Sequence, residues 1–198
     1  MSALEQLPVT FEQIQEAAHR LDGIIETTPI AHSRALERRI GSPVHLKAEN
    51  LQRSGSFKVR GAYNRMVRLT PEQKAAGVVA ASAGNHAQGV ALAASKLGLE
   101  ARIYMPQGAA LPKIAATQDH GAEVVLFGST VDEALSEAKR VAEESGMVFI
   151  HPFDNAEIVA GQGTLGLEIL EQVPEVDTVL TGVGGGGLLA GLAVALKA

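Results

Sequence analysis

The chain has 198 residues, and 17 Lys+Arg against 22 Asp+Glu give a formal net charge of −5. With 46% apolar and 20% charged residues it is composed like an ordinary folded domain, which excludes a disordered chain and leaves one large domain or two small ones. The acidic balance, with no Lys/Arg cluster, excludes a nucleic-acid or anionic-membrane partner, and zero Cys excludes disulfides, thiolate metal sites and a Cys nucleophile.

No stretch approaches the ~18 consecutive apolar residues of a membrane span. The first residues carry Glu5, Glu12, Glu16 and Asp22 without a long apolar core, so a signal peptide is not expected and the cytoplasm is the expected compartment. Thr10 and Gln13 form a capping-box pattern ahead of Phe11, Ile14, Ala18 and Leu21, which recur at helical spacing. Val44, Leu46 and Ala48 alternate with His45, Lys47 and Glu49, which predicts a half-buried strand. A turn at Ser54-Gly55 then leads into a helix from about Ser56 to Leu69.

The middle of the chain alternates strand and helix. Val78–Ala81 reads as a buried strand, Asn85–Leu97 as a helix with Gly98 just past its end, and Ala101–Met105 as a strand. Pro112–His120 reads as a helix closed by Gly121, and Glu123–Phe127 as a strand. Thr130 with Glu133 caps a helix running to Ser145, and Gly146 ends it before a strand at Met147–Ile150. Strands separated by helices of this length predict a parallel sheet with ligands at the carboxyl ends of the strands. A further strand is expected at Asp177–Thr181, then a glycine run, then a helix at Leu188–Lys197 that is apolar almost all round and so expects burial on several sides. With no strand after it, the chain is expected to be the front portion of a longer protein.

Three segments have the composition of a site. In Ser54-Gly55-Ser56-Phe57-Lys58 a lysine falls in the first turn of a helix, where the dipole disfavours its protonated form and helps its nitrogen attack a carbonyl; an ordinary surface lysine is the alternative. Ser82-Ala83-Gly84-Asn85-His86 stands at a strand end and a helix start, a cradle for carboxylate or phosphate or else plain helix capping. Gly182-Val183-Gly184-Gly185-Gly186-Gly187-Leu188 can form a nest of backbone N–H groups around an anion. That run also satisfies G-x-G-x-x-G at 182, 184 and 187, and so does Gly161-Gln162-Gly163-Thr164-Leu165-Gly166. The acidic residue a dinucleotide site needs ~20 positions on would fall past the last residue for the first match and is missing at that spot for the second. The six His show no metal-binding spacing.

Ser54–Ala62, Ser82–Gly89 and Gly184–Leu188, with Pro112–Thr117, Gly121–Val125, His151-Pro152-Phe153-Asp154 and Gly161–Thr164, resemble the fold-type II pyridoxal-phosphate enzymes. Within them the residues are most similar to the threonine dehydratase (threonine ammonia-lyase) group, which has serine racemase and serine dehydratase as near relatives. The resemblance implies an α/β fold of two open, mainly parallel sheets flanked by helices, like the tryptophan synthase β subunit. It implies a large domain (residues 1–52 and 154–198, incomplete here) and a small domain (53–153). It implies pyridoxal 5′-phosphate carried by Lys58, which also moves the Cα proton, with Phe57 beside the ring and Asn85 on the 3′-oxygen. The phosphate would lie on the backbone of Gly184, Gly185, Gly186, Gly187 and Leu188, and the substrate carboxylate on Ser82, Gly84, Asn85 and His86.

The implied reaction deaminates L-threonine to 2-oxobutanoate, with L-serine to pyruvate as a side activity, in amino-acid metabolism such as isoleucine biosynthesis. The implied assembly is a homo-oligomer, dimer or tetramer. Racemases of the family carry a serine at the position of Ala83, so dehydration is favoured over racemisation. The competing readings are serine racemase, a nucleotide-binding module using Gly182–Gly187, and a truncated relative that is inactive and acts only by dimerising.

Overall fold

The computed structural model describes residues 9–198; residues 1–8, the start of the expected 1–52 segment, lie outside the described residues. Helix α1 (Phe11–Leu21) is closed by the expected capping box: the Thr10 hydroxyl accepts from the Gln13 N–H, and the Gln13 side chain accepts from the Thr10 N–H. It buries Ile14, Ala17 and Leu21. A short strand β1 (Ile30–His32), which no sequence pattern announces, pairs antiparallel with β2 (His45–Lys47) around helix α2 (Arg34–Ile40). The alternation at 44–48 does form a strand, but Leu46 faces outward at 46% exposure while Lys47 turns inward to an ion pair. The apolar face expected from the pattern is thus not the buried one.

After a single 3-10 turn at Glu49–Leu51, α3 (Lys58–Val67) and the short α4 (Pro71–Ala76) lead into the main sheet. Its strands are β3 (Val78–Ala81), β4 (Ala101–Met105), β5 (Glu123–Leu126) and β6 (Val148–Phe149), all parallel in the order β5-β4-β3-β6. Helices α5 (Asn85–Leu97), α6 (Leu111–Asp119) and α7 (Val131–Ser145) are the crossovers. Their ends fall where the sequence sets them. Gly98 and Gly146 take left-handed conformations at φ 66° and 76°, and Thr130 caps α7 through the Glu133 N–H. Every residue of β3 is buried, as a central parallel strand covered on both faces requires.

Helices α8 (Ala156–Gln172) and α9 (Gly187–Lys197) complete the described fold. The second G-x-G-x-x-G match lies inside α8, where its glycines allow backbones to touch. A Cβ at Gly161 would lie 2.6 Å from the Arg60 carbonyl oxygen and the Gly61 Cα of α3, and one at Gly163 would lie 3.0 Å from the Gly191 carbonyl oxygen of α9. Residues 177–181 form no strand. A ladder needs a partner, none of the described residues pairs with them, and Leu180 is left 88% exposed. Of the two expected parallel sheets, the second is represented among the described residues by the antiparallel pair β1–β2.

Candidate active site

Lys58 is the first residue of α3, and a backbone contact behind it fixes its position. A Cβ at Gly89 of α5 would lie 2.9 Å from the Lys58 carbonyl carbon, so only glycine lets the two helices meet there. The Lys58 ammonium donates to the Pro152 carbonyl oxygen at 2.8 Å and sits 5.4 Å from the centre of the Phe57 ring. Burial holds its pKa below the usual lysine range. The dipole at the N-terminus of α3 acts in the same direction.

Facing Lys58 is the glycine run. Phe57, Lys58, Pro152, Phe153 and Gln162 share with Gly182, Gly184–Gly187, Leu188 and Leu189 a cleft of about 170 Å³. Gly186, at φ 86°, turns the chain into α9, whose first turn presents N–H groups without intrahelical acceptors. A Cβ at Gly185 would overlap the edge of the Phe153 ring, and one at Gly187 would press on the Phe153 backbone. The cradle therefore depends on Phe153, which His151 sets: its Nδ1 accepts from the Phe153 N–H at 3.2 Å and the Asp154 N–H at 2.7 Å, and the two rings meet edge to face.

The N-terminus of α5 forms a separate group that does not line this cleft. Ser82 Oγ accepts from the Gly84 N–H at 3.1 Å, and Asn85 Oδ1 accepts from Lys113 of α6 at 3.0 Å. His86 is buried, and its Nε2 lies 2.9 Å from the Ile150 carbonyl oxygen. A carbonyl only accepts, so Nε2 carries the proton. Burial pushes the pKa of His86 down to about 4, which leaves the ring neutral at pH 7. The imidazole is thus committed to the end of the sheet, and what His86 offers a carboxylate is its backbone N–H in the first turn of α5.

Sequence reasoning missed the buried ion network beneath the site. Arg60, two residues from Lys58 and fully buried, makes a two-pronged bond to Glu49 at 2.8 and 2.9 Å and a third bond to Glu168 at 2.6 Å. Glu168 also accepts from Lys47 at 2.5 Å. Charge pairing holds the Glu168 carboxylate in its ionised form against the cost of burial. The network ties α3 to β2 and α8.

Residues 21–198 match the family described as pyridoxal-phosphate dependent enzyme. The chain belongs to this family. L-threonine ammonia-lyase of Thermotoga maritima is 51% identical over 189 residues, 96% of this chain and 47% of the relative. The catabolic L-threonine dehydratase of Escherichia coli is 48% identical over 191 residues, 96% of this chain and 58% of the relative. Maize serine racemase superposes with a TM-score of 0.92 at 38% identity, covering 96% of this chain and 58% of that one. The chain thus spans about half the length of the relatives it matches. In this chain the Lys58 amine and the glycine run line one cleft. No helix among the described residues is long and apolar enough to cross a membrane.

Proposed function

We propose that this protein is a pyridoxal-phosphate-dependent L-threonine ammonia-lyase that converts L-threonine to 2-oxobutanoate and ammonia, with L-serine to pyruvate as a side activity. The observation that carries the reading is the desolvated Lys58 amine facing the Gly184–Leu188 cradle across a single cleft. Identities of 48–51% to proteins named for threonine deamination support the substrate. When bound, the cofactor supplies the electron sink that stabilises negative charge at the substrate Cα.

The chain's own residues supply the rest. Backbone N–H groups of Gly184, Gly185, Gly186, Gly187 and Leu188 hold the phosphate, aided by the dipole of α9. Phe57 would pack beside the cofactor ring, and Asn85 would donate to its 3′-oxygen. Ser82, Gly84, Asn85 and the His86 N–H take the substrate carboxylate at the start of α5. With a lowered pKa, Lys58 has a larger neutral fraction at working pH and accepts the Cα proton at Nζ, while the Pro152 carbonyl orients that nitrogen. The Cβ–O bond breaks and the hydroxyl leaves as water with the proton held at Lys58 Nζ; the released enamine tautomerises to an imine, and water adds across its C=N bond and expels ammonia. Threonine therefore yields one 2-oxobutanoate and one ammonia with no net redox change.

Ala83 has no proton to deliver to the second face of Cα, which favours elimination over racemisation. The same reading divides the chain into 1–52 with 154–198 and 53–153, the main sheet lying wholly within the latter. It also makes the working form a cytoplasmic homo-oligomer.

The test is to incubate the purified protein with pyridoxal phosphate and L-threonine, follow 2-oxobutanoate, and locate the cofactor by borohydride reduction and peptide mass. Turnover with the label on Lys58 is expected. Label scattered over surface lysines, or inversion of serine without deamination, would overturn the reading.

A further inference from the structure

Lys113 lies in the first turn of α6 and reaches across to α5, where its ammonium donates to Asn85 Oδ1 at 3.0 Å and to Gln88 Oε1 at 3.2 Å. Within α6, the buried Thr117 hydroxyl donates back to the Lys113 carbonyl oxygen at 2.8 Å. An amide side chain can present either its oxygen or its NH2 to a neighbour, but an ammonium has three donors and no acceptor. Lys113 therefore accepts only one orientation of Asn85, with the oxygen toward α6 and the NH2 turned away. Asn85 is exposed, and among the described residues its Nδ2 has no hydrogen-bond partner and is open to solvent. Asn85 stands one turn before Gly89, the residue pressed against the Lys58 backbone, and so shares that face of α5.

We propose that Lys113 is a positioning residue: it locks the Asn85 amide so that Nδ2 is the group offered to the 3′-oxygen of bound pyridoxal phosphate. The proposal rests on the reading of the Lys58 cleft given above. Without the ammonium, Asn85 could turn its oxygen toward an oxygen of the cofactor, a repulsive arrangement. A donor held on the 3′-oxygen stabilises negative charge there. Its loss shifts the nearby proton onto that oxygen and lowers the ratio of the cofactor's long- to short-wavelength absorption bands.

The experiment compares the protein with its Lys113→Met, Lys113→Arg, Asn85→Ala and Asn85→Ala/Lys113→Met variants. Cofactor affinity and band ratio are read for each, and borohydride trapping on Lys58 confirms the bound state. Lys113→Met is expected to weaken cofactor binding about tenfold, the worth of one good hydrogen bond, and to lower the band ratio. Lys113→Arg, also donor-only, restores both. In the Asn85→Ala background Lys113→Met changes neither, whereas a purely structural role would add its cost there too. Normal affinity and band ratio in Lys113→Met, with the label on Lys58, overturn the proposal alone. Failure of the unmodified protein to trap cofactor on Lys58 overturns the reading of the cleft, and the proposal with it.

Discussion

The Lys58 ammonium is held 2.8 Å from the carbonyl oxygen of Pro152, a residue 94 positions away, in the cleft that both residues line together with the glycine run. Lys58→Ala removes both the attachment point and the proton acceptor. Deamination is expected to fall at least ~10²–10⁴-fold, the usual contribution of a positioned acid–base group. Reduction with borohydride should leave no single labelled peptide. The fold should survive, because a half-buried cation has been deleted and no core volume lost; circular dichroism and the thermal midpoint check this.

Gly161→Ala separates packing from helix propensity. Alanine is favoured over glycine inside a helix by ~1 kcal/mol, but a Cβ here meets the Arg60 carbonyl oxygen and the Gly61 Cα at 2.6 Å, both backbone atoms that cannot swing aside. A net loss of ~1–3 kcal/mol is expected, read as a lower urea midpoint. Weaker cofactor binding should accompany it, because α3 carries Lys58. Gly108→Ala, where a Cβ would meet nothing within 4 Å, should stay within about 0.5 kcal/mol of the parent.

Arg60→Met tests the buried network. Arg60 has no exposed side-chain surface, and Glu49 and Glu168 would lose their strongest partner. Removing one member of a buried ion pair strands the others, so a loss of ~3–5 kcal/mol is expected in denaturant unfolding.

The pH dependence follows from His86. Its folded pKa of about 4 lies below the ordinary 6.5 because burial disfavours the charged ring. Between those values the unfolded chain binds the proton and the folded one does not. The stability His86 contributes is therefore full above pH 6.5 and is lost as the pH falls toward 4, ~3 kcal/mol in all. His151 is shifted in the same direction by its burial. Unfolding midpoints measured from pH 7 to 4 should fall less steeply for His86→Gln, which keeps a donor for Ile150 but has no titration there.

Where the chain's local chemistry marks its own boundaries, the fold was legible. β3, α5 and β4 have their expected limits, and Thr130 and Gly146 bracket α7 as expected, because caps and left-handed glycines act within a few residues. β1 has only three residues and owes its existence to the 12-residue detour, residues 33–44, that brings β2 alongside it, Ile30 opposite Lys47. The strand expected at 177–181 reads correctly as composition and fails for want of a partner. In the site, Lys58 and the glycine run stand out because glycine and a helix-start lysine are costly without a use. Arg60 does not, because arginine is rarely buried and its partners Glu49 and Glu168 meet only in the folded chain. Lys113 is similarly silent in the sequence, its role arising from the packing of α6 on α5.

Gly161 lets α8 rest directly on the α3 backbone and Gly191 lets α9 rest directly on the α8 backbone, while beside Gly61 the gap is filled by the Gln162 side chain, whose Oε1 accepts from the Gly61 N–H. Backbone resting on backbone has no rotamers with which to give, so these three helices form one stiff block. Lys58 begins the first of them and the glycine cradle begins the last. On the proposed reading, the span from amine to phosphate site is therefore a fixed length, and the cleft would select its occupant as a gauge does, by the distance between an aldehyde and a phosphate.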